Sequence, residues 1–160
     1  MDTIRIQPIV TAEEILEIWQ GNRRLTRRVM EAFPEKELFE FSIGGMRPFA
    51  NLVKELLEIA VPGLKQVVTG EIIPLSDEHL TQTTKEELLT AWDETTDEIN
   101  RLWAQLKPER FRETVNLFGQ FEYTGIQNIT YFIENEIHHR GQGYVYLRAL
   151  GIQPPFFWER

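Results

Sequence analysis

The chain contains no cysteine. This excludes a disulfide framework, a thiolate nucleophile and a thiolate metal ligand. Histidine is scarce as well: His79, His138 and His139 are the whole supply, so any imidazole chemistry has to start from those positions. No apolar run approaches the roughly 20 residues that span a bilayer, and the opening MDTIRIQPIV lacks the basic stretch and apolar core of a secretory leader. The expectation is a cytoplasmic protein with no membrane partner. Positive charge is also in deficit, with 17 Lys and Arg against 25 Asp and Glu for a net charge of −8. Such a field repels a phosphate backbone, so no nucleic-acid partner is expected. The densest basic cluster, Arg23, Arg24, Arg27 and Arg28, has helical spacing beside Glu31 and reads as a solvated face. The sequence has no phosphate-cradling glycine loop, dinucleotide fingerprint, nucleophile elbow or HExxH motif.

What is present is helical periodicity. The 160 residues are read as one domain, residues 1–160, large enough to bury a core without covalent staples. An extended lead-in covers residues 3–10. Thr11 and Glu14 then form a capping box that opens a helix from Ala12 to Phe33, with Ile15, Ile18, Leu25, Val29 and Phe33 on its apolar stripe and Pro34 as its stop. A second helix is predicted from Arg47, with Pro48 in its first turn. Its apolar face is Phe49, Leu52, Val53, Leu56, Leu57 and Ala60, with a break or kink at Pro62-Gly63 and a further stretch to Thr69. Thr84 and Glu87 cap a third helix whose Leu88, Trp92, Thr95, Ile99, Leu102 and Leu106 make a bundle seam. The segment RFRETVNLFGQFEYT is irregular, with room for a short turn or hairpin but no convincing strand pair. A fourth helix runs from Thr124 to Leu150 and ends at Gly151 before Pro154-Pro155. Four amphipathic helices joined by loops predict an all-α four-helix bundle.

Candidate chemistry sits at the edges of the apolar faces. On the fourth helix, a wheel at about 100° per residue puts Ile126, Ile129, Ile133, Ile137 and Leu147 in the core. Asn128, Asn135, His139, Gln142 and Tyr146 line the border beside it, while His138 points to solvent. Glu55 lies beside the apolar arc of the second helix. Asn22 stands in the middle of the first helix's stripe, with Thr26 one turn on, and a buried amide needs partners. One polar cavity shared by the three helices would account for all of these residues. The plainer alternative leaves Asn22 bonding a loop, Glu55 exposed and His139 a satisfied boundary histidine. His79, just before the third helix, reads as a loop or capping residue.

The C-terminal stretch NEIHHRGQGYVYLRALGIQPPFFWER resembles the end of the DinB-like family, in which a helix carrying HHRGQ runs into YLR, a Leu-Gly stop and a Pro-Pro tail. LTRRVMEAFPEKEL, MRPFANLV and NLFGQFEYTG match more weakly, in order. The resemblance implies a four-helix bundle, frequently a homodimer. It also implies a divalent metal, nickel or zinc, held by one histidine of the second helix and two of the fourth at i and i+4, in proteins that activate a small thiol for transfer or isomerisation. Imidazole suits both ions. Here His139 matches the last ligand, but its i−4 partner is Asn135, and Glu55 (or Lys54, on a one-residue shift) stands at the position on the second helix. The expectation is a divergent member whose metal site is weakened or lost, with a small-molecule ligand and no metal. The alternative is an active metal-dependent transferase or hydrolase, with Glu55, Asn135 and His139 as ligands and His139 and Glu55 as catalytic groups.

Overall fold

The computed structural model describes residues 9–76 and 80–160; the greater part of the extended lead-in and the role expected of His79 lie outside the described residues. The order of elements is α1 (Ala12–Ala32), α2 (Glu35–Glu40), α3 (Phe49–Thr69), α4 (Lys85–Trp103), a 3₁₀ turn (Pro108–Phe111), β1 (Thr114–Leu117), β2 (Phe121–Thr124) and α5 (Gly125–Ala149). The protein is mostly helical, and both α1 and α3 pack against both α4 and α5. No described helix is long and apolar enough to cross a membrane.

Thr11 with Glu14 and Thr84 with Glu87 form the expected reciprocal boxes, and Thr124 with Gln127 forms a third that was not expected; each satisfies backbone N–H groups that the first turn leaves free. Elsewhere the structure corrects the sequence reading. Pro48 lies just outside α3 as its cap, not inside the first turn. Pro62 neither ends nor breaks α3, which continues to Thr69. A proline inside a helix costs about 3 kcal/mol, and here Leu56, Leu57, Ala60, Leu64 and Val67 are buried on both sides of it. That packing outweighs the local cost. The loop after Pro34 holds the short helix α2, which inserts Leu38 into the core.

The irregular segment is a true antiparallel hairpin, with Val115 opposite Tyr123 and Leu117 opposite Phe121. Its turn puts Phe118 at φ 56° and Gly119 at φ 71°. A left-handed phenylalanine is unfavourable by itself. Phe118 is held there because its ring is buried and its N–H donates to Gln66 Oε1 of α3 at 2.8 Å.

The core has two halves. Trp19, Leu64, Trp103, Ile129 and Phe132 belong to one cluster; Val29, Phe33, Phe49, Trp92 and Tyr146 belong to the other. Between the two lies a polar layer: the buried Asn22, Arg23 and Thr26 of α1, the half-buried Thr95 and Thr96 of α4, and the buried Glu136 and Arg140 of α5. Arg23 is therefore not part of a solvated face. Its guanidinium lies 3.8 Å over the Trp92 ring and donates to Thr96 Oγ1, Thr95 Oγ1 and the Trp92 carbonyl, and burial lowers its pKa to about 10. The stripe on α5 is corrected too. Ile137 is 42% exposed, and Glu136 and Arg140 point inward instead. On α1, Ile18 is likewise exposed and Trp19 takes the core position.

Candidate functional site

The predicted side chains do not share one cavity. Asn22 belongs to the polar layer. It accepts from Arg140 Nη2 at 2.7 Å and donates to the Ile18 carbonyl at 2.9 Å. Thr26 donates to Glu136 Oε1 at 2.6 Å, and Arg140 reaches both Thr26 and the Asn22 carbonyl. The amide found in the sequence thus has its partners, but they are Arg140 and, through Thr26, Glu136. Neither was visible as a polar position because both lie where periodicity suggested core or surface.

Glu55 and His139 do meet. His139 sits on the side of α5 that faces α3, and its Nε2 lies 3.0 Å from Glu55 Oε1. The second oxygen of the same carboxylate receives Arg47 Nη2 at 2.5 Å. Glu55 is therefore held between an imidazole and a guanidinium. Tyr146 completes the arrangement: fully buried, with its hydroxyl donating to the Arg47 carbonyl at 3.0 Å, it ties α5 to the entry of α3 and positions the backbone that carries Arg47. Arg47 was not singled out in the sequence. Its only signal was its place eight residues before Glu55, at a distance a long side chain spans over two turns.

The remaining candidates divide. Asn135, one turn before His139, is half-buried with its Nδ2 buried and unpaired, as is His139 Nδ1. Gln142 pairs with His138 Nε2 at 3.1 Å on the exposed side of α5. Asn128 is buried at the start of α5, where it donates to the Tyr123 carbonyl at 3.3 Å, well away from the Glu55 pair in sequence and bonding. Lys54 and Glu55 both line a cavity of about 450 Å³ with Arg47, Asn51, Glu58 and Leu80. Of the two, Glu55 is the one that reaches the histidine.

The electrostatics follow from this geometry. Burial by itself raises the pKa of Glu55, but the hydrogen bonds to His139 and Arg47 and the charge beside them outweigh it and hold the carboxyl below its ordinary value. A carboxylate with a depressed pKa stabilises the fold above the unfolded value of about 4.3 and loses that contribution as the pH falls through its folded value. The difference in urea midpoint between wild type and Glu55→Gln is therefore expected to shrink steadily as the pH falls below about 4.5. A difference that does not change with pH would show that the carboxylate charge contributes nothing.

A sequence profile of the DinB family matches residues 9–159. The chain belongs to the DinB family. No curated protein matches the sequence. Among solved structures, a DinB-like protein from Bacillus subtilis is similar with a TM-score of 0.73 at 21% identity, over 92% of this chain and 99% of that one. A DinB-like protein from Bacillus cereus gives 0.73 at 15% identity, over 90% and 95% of the two chains. A mycothiol-dependent maleylpyruvate isomerase gives 0.66 at 16% identity, over 88% of this chain and 68% of that one. These likenesses are of fold.

The DinB-like resemblance carries an expected nickel or zinc, and the donors at this position suit such an ion poorly. They amount to one imidazole, one carboxylate and one carboxamide, and the carboxamide is a weak ligand. Arg47 already holds the free oxygen of Glu55, so a second cation there would face a fixed positive charge. Among the described residues no group of three or more His, Asp or Glu converges as a metal site.

Proposed function

We propose that this DinB-family protein binds a small organic molecule at the Arg47–Glu55–His139 cluster and keeps no resident metal. The observation that supports it is the Glu55 carboxylate clasped on both oxygens, at 3.0 Å by His139 and 2.5 Å by Arg47. In a four-helix bundle, cofactor sites are built from side chains of facing helices, and here a guanidinium supplies the positive charge that a divalent ion would otherwise bring. The adjoining cavity carries Arg47 and Lys54 against Glu55 and Glu58, with Asn51 beside them. Balanced charge of this kind suits a polar molecule rich in hydrogen-bonding groups. A low-molecular-weight thiol or its conjugate is the class that the family resemblance favours, and one structural neighbour depends on mycothiol. Within the site, Glu55 and His139 are the pair able to hold and pass a proton. The protein is read as a cytoplasmic homodimer, with the exposed aromatic tail Phe156, Phe157 and Trp158 as contact surface.

Elemental analysis of protein purified without an affinity tag is expected to find nickel and zinc well below one equivalent per chain. Calorimetric titration of that protein with glutathione and mycothiol is expected to show saturable binding that His139→Ala abolishes. One equivalent of bound metal, lost with chelator together with binding, would establish the opposite reading, in which Glu55, Asn135 and His139 are ligands. Sedimentation of the same preparation tests the homodimer, and a monomer would overturn it.

A further inference from the structure

A second concavity lies between β2 and α5, with a volume of about 490 Å³, and it has a different chemistry. Its walls include Phe121 and Tyr123 from the hairpin and Tyr131 from α5, each about half exposed at 49%, 52% and 44%. The fold explains where these rings point. Residues opposite one another in an antiparallel pair share a face, so Tyr123 lies on the side of Val115 and Phe121 on the side of Leu117. Val115 and Leu117 are buried and supply the hairpin's packing. The aromatic residues extend past them, over the flank of α5. Asn128, at the floor, donates to the Tyr123 carbonyl and so fixes the strand against the helix.

The charge of the lining is one-sided. It contains the carboxylate of Glu134 and neither lysine nor arginine, and among the described residues Glu134 has no hydrogen bond or ion pair. Burial, and after it the charge of Glu55, push the Tyr131 phenol above its ordinary value, so the ring stays neutral at physiological pH. Aromatic rings lining one space together with an unpaired carboxylate attract cations and repel anions. The net charge of −8 adds to that bias. Neutral faces alone would hold any apolar molecule; the carboxylate without a partner is what selects among them.

We infer that this cleft is a binding site for an organic cation, an alkylated ammonium seated against Phe121, Tyr123 and Tyr131 with its charge toward Glu134. None of Arg47, Glu55 and His139 lines this cleft, although Tyr131, which does, feels the charge of Glu55. Calorimetric titration of the full chain with benzyltrimethylammonium, benzyl alcohol and phenylacetate tests it. The cation is expected to bind saturably, about tenfold more tightly than the alcohol, with no binding of the acid. Glu134→Gln should remove most of the preference for the cation over the alcohol, and Tyr123→Leu should weaken the cation several-fold while leaving the helical circular dichroism unchanged. Equal binding of the three probes, no saturable binding, or a preference unmoved by Glu134→Gln would overturn the assignment. So would a sedimentation shift from dimer to monomer in Tyr123→Leu with no ammonium binding by the wild type, which would give the cleft to a second copy of the chain.

Discussion

Replacing Arg140 with alanine is expected to cost about 3–5 kcal/mol of folding free energy, because removing one partner from a buried ionic cluster leaves the rest uncompensated. The side chain donates to Asn22 Oδ1, the Asn22 carbonyl and Thr26 Oγ1, and lies 3.8 Å from Glu136 Oε1. Glu136 is 2% exposed. Burial pushes its carboxyl up, and the charges of Arg23 and Arg140, with the hydrogen bond from Thr26, pull it back. Loss of Arg140 takes away the nearer guanidinium and leaves Asn22 Oδ1 without its donor. Native domains have only about 5–15 kcal/mol to lose, so the variant should unfold at a much lower urea midpoint. A companion carrying Glu136→Leu and Arg140→Leu together should recover part of the loss, since apolar replacement of a whole buried pair is far milder than breaking it. A loss below about 1 kcal/mol in Arg140→Ala, outside the buried-pair range, would mean that the polar layer is hydrated and weakly coupled. The arginine of HHRGQ is thus assigned to the architecture, and the histidine before it to the site.

Alanine at Gly143 and alanine at Gly141 should have opposite effects, although the two glycines are separated by one residue. A Cβ built on Gly143 would stand 2.6 Å from Phe49 Cε2 and 2.8 Å from its Cζ. Phe49 cannot turn away easily, because its ring is fully buried and stacked on Phe33 with centroids 5.0 Å apart. The added methyl must therefore push α5 from α3, at a cost of about 1–3 kcal/mol for overpacking. A Cβ at Gly141 meets nothing within 4 Å, so Gly141→Ala should stabilise the helix by about 0.5–1 kcal/mol. Urea unfolding of the two variants measures the stability contrast. The Glu55–His139 contact spans the same helix pair one turn from Gly143. Gly143→Ala should accordingly weaken any ligand held by that cluster, while Gly141→Ala leaves it as in wild type. Equal stability of the two variants would refute the close approach of α5 to α3.

Much of this was legible locally. A capping box needs a hydroxyl and a carboxylate or amide three residues apart, and that signal is contained in the chain itself, so the starts of α1 and α4 follow from Thr11 and Thr84. The approach of Glu55 and His139 followed from the DinB-like resemblance together with helical spacing. The partner of Asn22 did not. A buried amide announces that a partner is required without saying from which helix it comes, and the one available was an arginine that periodicity left unassigned. Likewise, no local pattern distinguishes Arg23, folded over Trp92, from Arg24, which is exposed.

The sequence by itself determined the capped starts of α1 and α4, the absence of thiol chemistry, and the restriction of imidazole on α5 to His138 and His139 at the family's signature, because each of these depends on residue identity and short spacing alone. Only the tertiary structure decided that α3 passes unbroken through Pro62, that Phe118 holds a left-handed turn, that Arg47 takes the second oxygen of Glu55, and that a polar layer centred on Arg140 divides the core. Those outcomes depend on which atoms lie opposite one another across helix interfaces. There, desolvation and close packing outweigh the local preferences of the chain.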